Sequence, residues 1–74
     1  MATLRLFANL RESAGTDRVE IDAATVGDLL AQADLKFGDT FASGASSAGV
    51  WVNGEPAESS VAISATDEVA LIPP

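Results

Sequence analysis

Thr25-Val26-Gly27-Asp28-Leu29-Leu30-Ala31-Gln32-Ala33-Asp34-Leu35-Lys36-Phe37-Gly38 decides the fold, because it carries an apolar stripe of helical period. Val26, Leu29, Leu30, Ala33 and Phe37 fall at offsets of 0, 3, 4, 7 and 11, which places them on one face of a helix. Thr25 suits the N-cap, with Asp28 three residues on where its carboxylate favours the positive helix end. Gly38 is expected to close the helix as a left-handed cap. Gly27 weakens the first turn, so this helix depends on docking its stripe against a sheet.

Working outward from that helix, the flanks read as strands. Thr3 to Ala8 alternates, sending Leu4, Leu6 and Ala8 to one face and Thr3, Arg5 and Phe7 to the other. Asn9 to Thr16 reads as a turn-rich connection, and Arg18 to Asp22 alternates again with Val19 and Ile21 inward, which predicts an N-terminal hairpin. Beyond the helix, Asp39 to Gly49 is rich in Ser, Ala and Gly around Phe41 and reads as the most mobile loop. Gly49 to Val52 forms a strand closed by the Asn53-Gly54 turn, since both residues tolerate positive φ. Ser59 to Ala65 is expected to tuck Val61 and Ile63 under the sheet, and Asp67 to Ile72 is the last strand, ended by Pro73 and Pro74.

One helix crossing between the second and third strands covers one face of a mixed sheet, which points to an α+β, ubiquitin-like β-grasp fold of about five strands. The first and last strands should lie central and parallel, bringing Leu4, Leu6, Val69 and Leu71 beneath the stripe. A ferredoxin-like layout ranks second; it needs a second helix, and residues 39 to 49 lack the apolar periodicity for one. A second packed helix after Gly38, or Phe7 and Ile72 inside the hydrophobic interior, would therefore overturn this reading.

With 74 residues the chain is expected to form one domain, residues 1–74, around one core. It has no cysteine and no histidine, which removes disulfides, thiolate metal sites and imidazole chemistry. No segment approaches a membrane-spanning length and no export signal opens the chain, so a soluble, cytoplasmic protein is expected. Four basic residues against eleven acidic ones give a net charge of −7, which argues against nucleic acid and anionic membranes as partners. The scattered acids read either as a solubilising surface or as a field that steers in a partner with a basic face.

No catalytic residue emerges. Lys36 reads as a surface cation at the helix C-terminus, and the acidic pairs Asp67-Glu68 and Glu55/Glu58 match no metal-ligand pattern. The glycines form no phosphate-binding loop, and no cofactor is implied. A surface remains. Phe7, Trp51 and Ile72 point away from the helix-covered face by strand alternation, and beside Pro56 they can form a docking patch with Arg5 and Arg11 at its rim. The competing account is that loops pack over these side chains at the sheet edge.

Phe7-Ala8-Asn9-Leu10-Arg11-Glu12 resembles the Phe-Ala-x-Leu-Arg-Glu signature of the molybdopterin synthase small subunit, within the ThiS-like sulfur carrier family. Thr25 to Leu30 resembles the family's helix start, Val52-Asn53-Gly54 its turn and Asp67 to Pro74 its closing strand. The thiamine-pathway carrier is similar in fold but lacks the Arg-Glu and Pro-Pro elements. The resemblance implies a carrier without catalytic residues that bears sulfur as a thiocarboxylate on a C-terminal Gly-Gly. It implies two partners, an E1-like adenylating and sulfurating enzyme and the large subunit of molybdopterin synthase. By position, Phe7 and Ile72 match residues of the family's docking surface, Arg11 an element of its signature, and Pro73 and Pro74 the Pro-Pro that precedes its tail, and with Trp51 and Pro56 these are the expected partner-binding residues.

Two departures accompany these matches. The family's Pro-Pro is followed by a short segment ending in Gly-Gly, whereas this sequence stops at Pro74, whose fixed φ would hold a carboxyl group close to the body. Thr66 stands where the family commonly has glycine, and a positive φ there would be strained. A ubiquitin-like binding module that docks through the Phe7 face without chemistry, or a carrier for another pathway such as thiamine synthesis, is the alternative reading.

Overall fold

The computed structural model describes all residues from Met1 to Pro74. Its elements are β1 (Ala2–Leu6), α1 (Ala8–Ala14), β2 (Arg18–Ile21), α2 (Val26–Phe37), α3 (Asp39–Ala45), β3 (Gly49–Val52), β4 (Glu55–Pro56) and β5 (Glu68–Ile72). The strands form one five-stranded sheet in the order β2-β1-β5-β3-β4. β1 and β5 run parallel, with Leu4 beside Val69 and Leu6 beside Leu71, while the other pairs are antiparallel. This is the expected mixed β-grasp sheet. No helix is long and apolar enough to cross a membrane.

The core lies between the sheet and α2. Leu4, Leu6, Val69, Leu71, Val26, Leu29 and Ala33 are buried, and Leu30 and Phe37 of the expected stripe pack partly buried beside them. Thr25 caps α2, its Oγ1 accepting from the Asp28 N–H at 3.1 Å, and Asp28 reaches back to accept from the Ala24 N–H at 3.3 Å. Gly27 is required by packing. A Cβ there would meet the Ser59 carbonyl oxygen at 3.2 Å, and the Gly27 N–H donates to that same oxygen at 2.9 Å.

The structure corrects the sequence reading in two connections. The link between β1 and β2 is the helix α1, where a turn-rich connection is expected. β1 ends at Leu6, and Ala8, expected inward on the strand, is exposed and left-handed at φ 52° as the chain turns into α1. Leu10 buries completely, and Gly15 closes the helix at φ 76°. Residues 39 to 45 are helix α3, where a mobile loop is expected. Gly38 takes φ 93° and ψ −173°, a region open to glycine but outside the expected left-handed cap, so it hinges α2 directly into α3. Phe41 and Ala45, at helical spacing, drive α3 onto the core, where Phe41 is fully buried and Ala48 packs just beyond the helix end.

The second packed helix leaves the β-grasp layout intact, because α3 follows α2 within the same connection between β2 and β3 and adds no second crossover. Two smaller expectations also change. Val61 is exposed, and its carbonyl accepts from the Val26 N–H at 3.0 Å, so only Ile63 packs partly buried. Thr66 is unstrained, since Ala8 and Asn53 are the non-glycine residues with positive φ.

The free edge of β2 is closed at its two ends by its own neighbours. The Thr16 hydroxyl accepts from the Arg18 N–H at 3.3 Å and donates to the Arg18 carbonyl at 2.9 Å, and Gln32 Nε2 donates to the Asp22 carbonyl at 2.8 Å. These bonds occupy groups that would otherwise template another strand.

Candidate functional site

With the helices stacked on one face, the strand residues of opposite parity form the open face. Register aligns Arg18, Arg5, Ala70, Trp51 and Pro56 in one row across all five strands. The next row begins with Phe7, which continues β1 beyond Leu6 in extended conformation, φ −130° and ψ 154°. Since Leu6 pairs with Leu71 and Ile72 with Gly49, Phe7 and Ile72 are neighbours at the end of the sheet from which Pro73 leaves.

Phe7 is 40% exposed, Trp51 36% and Ile72 43%, so each keeps a large part of its surface in water despite being apolar. The Trp51 indole nitrogen lies 3.4 Å from where a Cβ on Gly49 would stand, so the missing side chain lets the ring lie toward Ile72. Arg5 flanks the patch: its guanidinium carbon is 5.9 Å from the Phe7 ring centroid, within cation–π range.

Four of the seven residues singled out from the sequence, Phe7, Trp51, Pro56 and Ile72, thus share the open face. Pro56 is exposed; Pro73, half-buried, and Pro74, exposed, follow β5. Arg11 is exposed on α1, one turn beyond Phe7, and its N–H donates to the Phe7 carbonyl at 3.4 Å. The sequence reading did not single out Arg18, Ala70 or Gly49. Strand parity carries the signal for the first two, because Val19 inward puts Arg18 outward and Val69 inward puts Ala70 outward. Gly49 carries none, since only the fold brings Trp51 over it. No three acidic side chains converge where a metal could be held.

The far end of the open face is fixed by a polar lock between the β3–β4 turn and the start of β5. Asn53 and Gly54 have φ 51° and 85°, as a tight hairpin turn requires. Asn53 Nδ2 donates to Asp67 Oδ1 at 2.9 Å, and Asn53 Oδ1 accepts from the Glu68 N–H at 2.9 Å. Asp67 Oδ2 also accepts from the Ser64 N–H at 2.8 Å. Hydrogen bonds from Asn53 and then from the Ser64 backbone hold the Asp67 carboxyl below its ordinary value of 3.8.

A lowered folded pKa contributes stability that is present above the unfolded value and is lost as pH falls through the folded one. Asp67→Asn is therefore expected to lower the urea midpoint at neutral pH and to narrow its gap from the parent at about pH 3. Urea titrations of both chains at each pH check this, and parallel midpoints at both pH values would remove Asp67 from the lock.

The comparisons with known proteins agree with this architecture. The ThiS family model matches residues 4–74. Small archaeal modifier protein 1 of Haloferax volcanii is 34% identical, over 99% of this chain and 95% of that one, at a TM-score of 0.78. The putative molybdopterin converting factor subunit 1 of Pyrococcus furiosus is 25% identical, over 99% and 95% of the two chains, at a TM-score of 0.86. CysO of Mycobacterium tuberculosis, at 17% identity over 99% and 98% and a TM-score of 0.83, shows the fold alone. A search of curated proteins found no match. A family match over nearly the whole length, on a β-grasp sheet with the expected motifs in place, shows that the chain belongs to the ThiS family.

Proposed function

We propose that this protein is a sulfur carrier serving as the small subunit of a molybdopterin synthase, donating sulfur from a C-terminal thiocarboxylate during molybdenum cofactor synthesis. The observation that carries this reading is the exposed apolar face of Phe7, Trp51 and Ile72, set where β5 passes into Pro73 and Pro74. A partner seated on that face receives the tail end of the chain at the same time. Neither proline can donate a ladder hydrogen bond, so Pro73 and Pro74 end the pairing of β5 and release the chain from the sheet. The likeness to the Pyrococcus furiosus converting factor subunit and the Phe7–Glu12 motif favour the molybdopterin pathway.

In this reading the chain performs no chemistry itself. An adenylating enzyme activates the carboxyl group of a Gly-Gly tail with ATP, releasing pyrophosphate. A sulfur donor then displaces AMP, so that sulfur replaces one oxygen, and the synthase large subunit takes the sulfur. Glycines suit the tail because a chain without Cβ atoms threads a narrow channel.

The test is intact-mass spectrometry of the chain continued past Pro74 by Gly-Gly, after incubation with the family's adenylating enzyme, ATP and a sulfur donor. A gain of about 16 Da is expected, the mass change for sulfur replacing oxygen in a carboxylate. An unchanged mass while the enzyme converts its own carrier counts against the proposal. The likeness to a small archaeal modifier protein favours a second reading, a ubiquitin-like module that docks on other proteins through the same face. A mass gain without transfer to a pterin precursor would favour that reading or a carrier role in another sulfur pathway.

A further inference from the structure

We infer that the open face selects a protein partner presenting carboxylates next to an apolar seat, and that Arg5 and Arg18 are the residues that read them. The inference rests on the docking role proposed for that face and adds the charge of what docks there.

Arg5 and Arg18 lie directly opposite each other on β1 and β2. The Leu6 N–H donates to the Asp17 carbonyl at 2.9 Å, so hydrogen-bonded pairs fall at Leu6/Asp17 and Leu4/Val19. Arg5/Arg18 is therefore a pair of the non-hydrogen-bonded kind, in which Cα atoms approach to about 4.5 Å and side chains are closest. Like charges directly opposite on a sheet are unfavourable. The chain nevertheless places two of its four cations there, against eleven acids overall.

Arg18 has no counter-charge within the molecule, and Arg5 has a loose one. The one ion pair, Arg5 to Glu68, is 3.7 Å long, too far for a hydrogen bond, and Arg18 has no carboxylate in ion-pair range. Arg5 Nε is buried without an acceptor. Two arginines with unpaired terminal donors thus start from directly opposite positions on the open face, continuous with Phe7 on one side and Ala70 on the other. The fork geometry of arginine matches a carboxylate through two parallel hydrogen bonds, which strengthen when a partner excludes water, and on Arg5 a partner carboxylate competes only with the long contact to Glu68. The net charge of −7 repels any extended polyanion such as nucleic acid, so the carboxylates must form a local cluster on a partner whose remaining surface is not acidic. A docking protein with a local acidic cluster meets the arginines and the apolar patch together.

The experiment measures, by calorimetry at low and high salt, the affinity of the full chain for the family's adenylating enzyme from the same organism. Arg5→Gln/Arg18→Gln and Phe7→Ala are compared with the parent, and thermal melts confirm that each variant is folded. The arginine variant is expected to bind about 10- to 100-fold more weakly with a flattened salt dependence, as loss of hydrogen-bonded charge pairs gives. Arg5→Lys/Arg18→Lys should keep the salt dependence but recover only part of the affinity, because lysine lacks the fork. Phe7→Ala should weaken binding and leave the salt dependence as it is. If Phe7→Ala weakens binding while the glutamine variant matches the parent in affinity and salt dependence, the inference is overturned and the docking reading stands. If neither variant changes binding, both fall. Inorganic phosphate or a short oligonucleotide that displaces the enzyme through these arginines would mark a phosphate site and overturn the inference as well.

Discussion

Phe41→Ala is expected to abolish the cooperative unfolding transition, or to lower the thermal midpoint by about 12–40 °C, at roughly 4–8 °C per kcal/mol in a domain this small. Phe41 is completely buried on α3, and its ring meets Phe37 of α2 at a centroid distance of 5.0 Å and an interplanar angle of 54°. Truncating a buried phenylalanine costs about 3–5 kcal/mol through lost transfer energy and the cavity left behind. A domain of this length draws only about 3–5 kcal/mol of net stability from its core. The two magnitudes are equal, so one substitution decides between folded and unfolded chain. Thermal melts followed by circular dichroism measure this, with Leu35→Ala as the control because Leu35 is 88% exposed. A shift under about 5 °C for Phe41→Ala would mean that α3 adds little to the core.

That the decisive core residue sits in a segment read as a loop shows where sequence reasoning lost information. The long helix α2 was legible because its apolar period repeats over three turns, at Val26, Leu29, Ala33 and Phe37, and strands β1, β2, β3 and β5 because strict alternation, as at Val69 and Leu71, marks a strand within a few residues. The short helices α1 and α3 have seven residues each and two turns at most, so their stripes reduce to a pair of positions, Leu10 with Ala14 and Phe41 with Ala45. Ser43, Gly44 and Ser46 look like loop composition. Gly44 is small for a packing reason, since a Cβ there would meet Leu10 Cδ2 at 3.0 Å. That contact joins two segments 34 residues apart, and local pattern cannot show it.

The open face was more legible than the short helices, because parity along a strand assigns every side chain to one face once a single inward residue is known. Phe7, Trp51 and Ile72 came out on the expected side. What parity could not supply was lateral order. Only the register that sets Ala70 between Arg5 and Trp51 turns separate exposed residues into a row.

Phe7→Ala is expected to weaken docking of the adenylating enzyme by about 30-fold or more, as loss of an interface anchor worth about 2 kcal/mol does, while leaving the fold intact. Phe7 lies outside the core and is 40% exposed, so its removal opens no cavity. Its removal loses the packing of its covered surface and the Arg5 cation–π contact at 5.9 Å, the latter worth about 0.5–1 kcal/mol at an exposed site. The ring is nevertheless held in place. It extends β1 at φ −130°, and the left-handed turn at Ala8 redirects the backbone immediately after it. An exposed aromatic on a fixed backbone loses little conformational entropy when covered, which is the property expected of an anchor. Trp51→Ala, removing the larger ring from the same face, should weaken binding to a similar degree. Titration calorimetry with thermal melts separates the two effects, since affinity should fall while the midpoint moves by less than about 8 °C. An affinity within about twofold of the parent for the Phe7→Ala/Trp51→Ala double variant would show that the partner seats elsewhere, because two anchors of an interface cannot both be energetically silent.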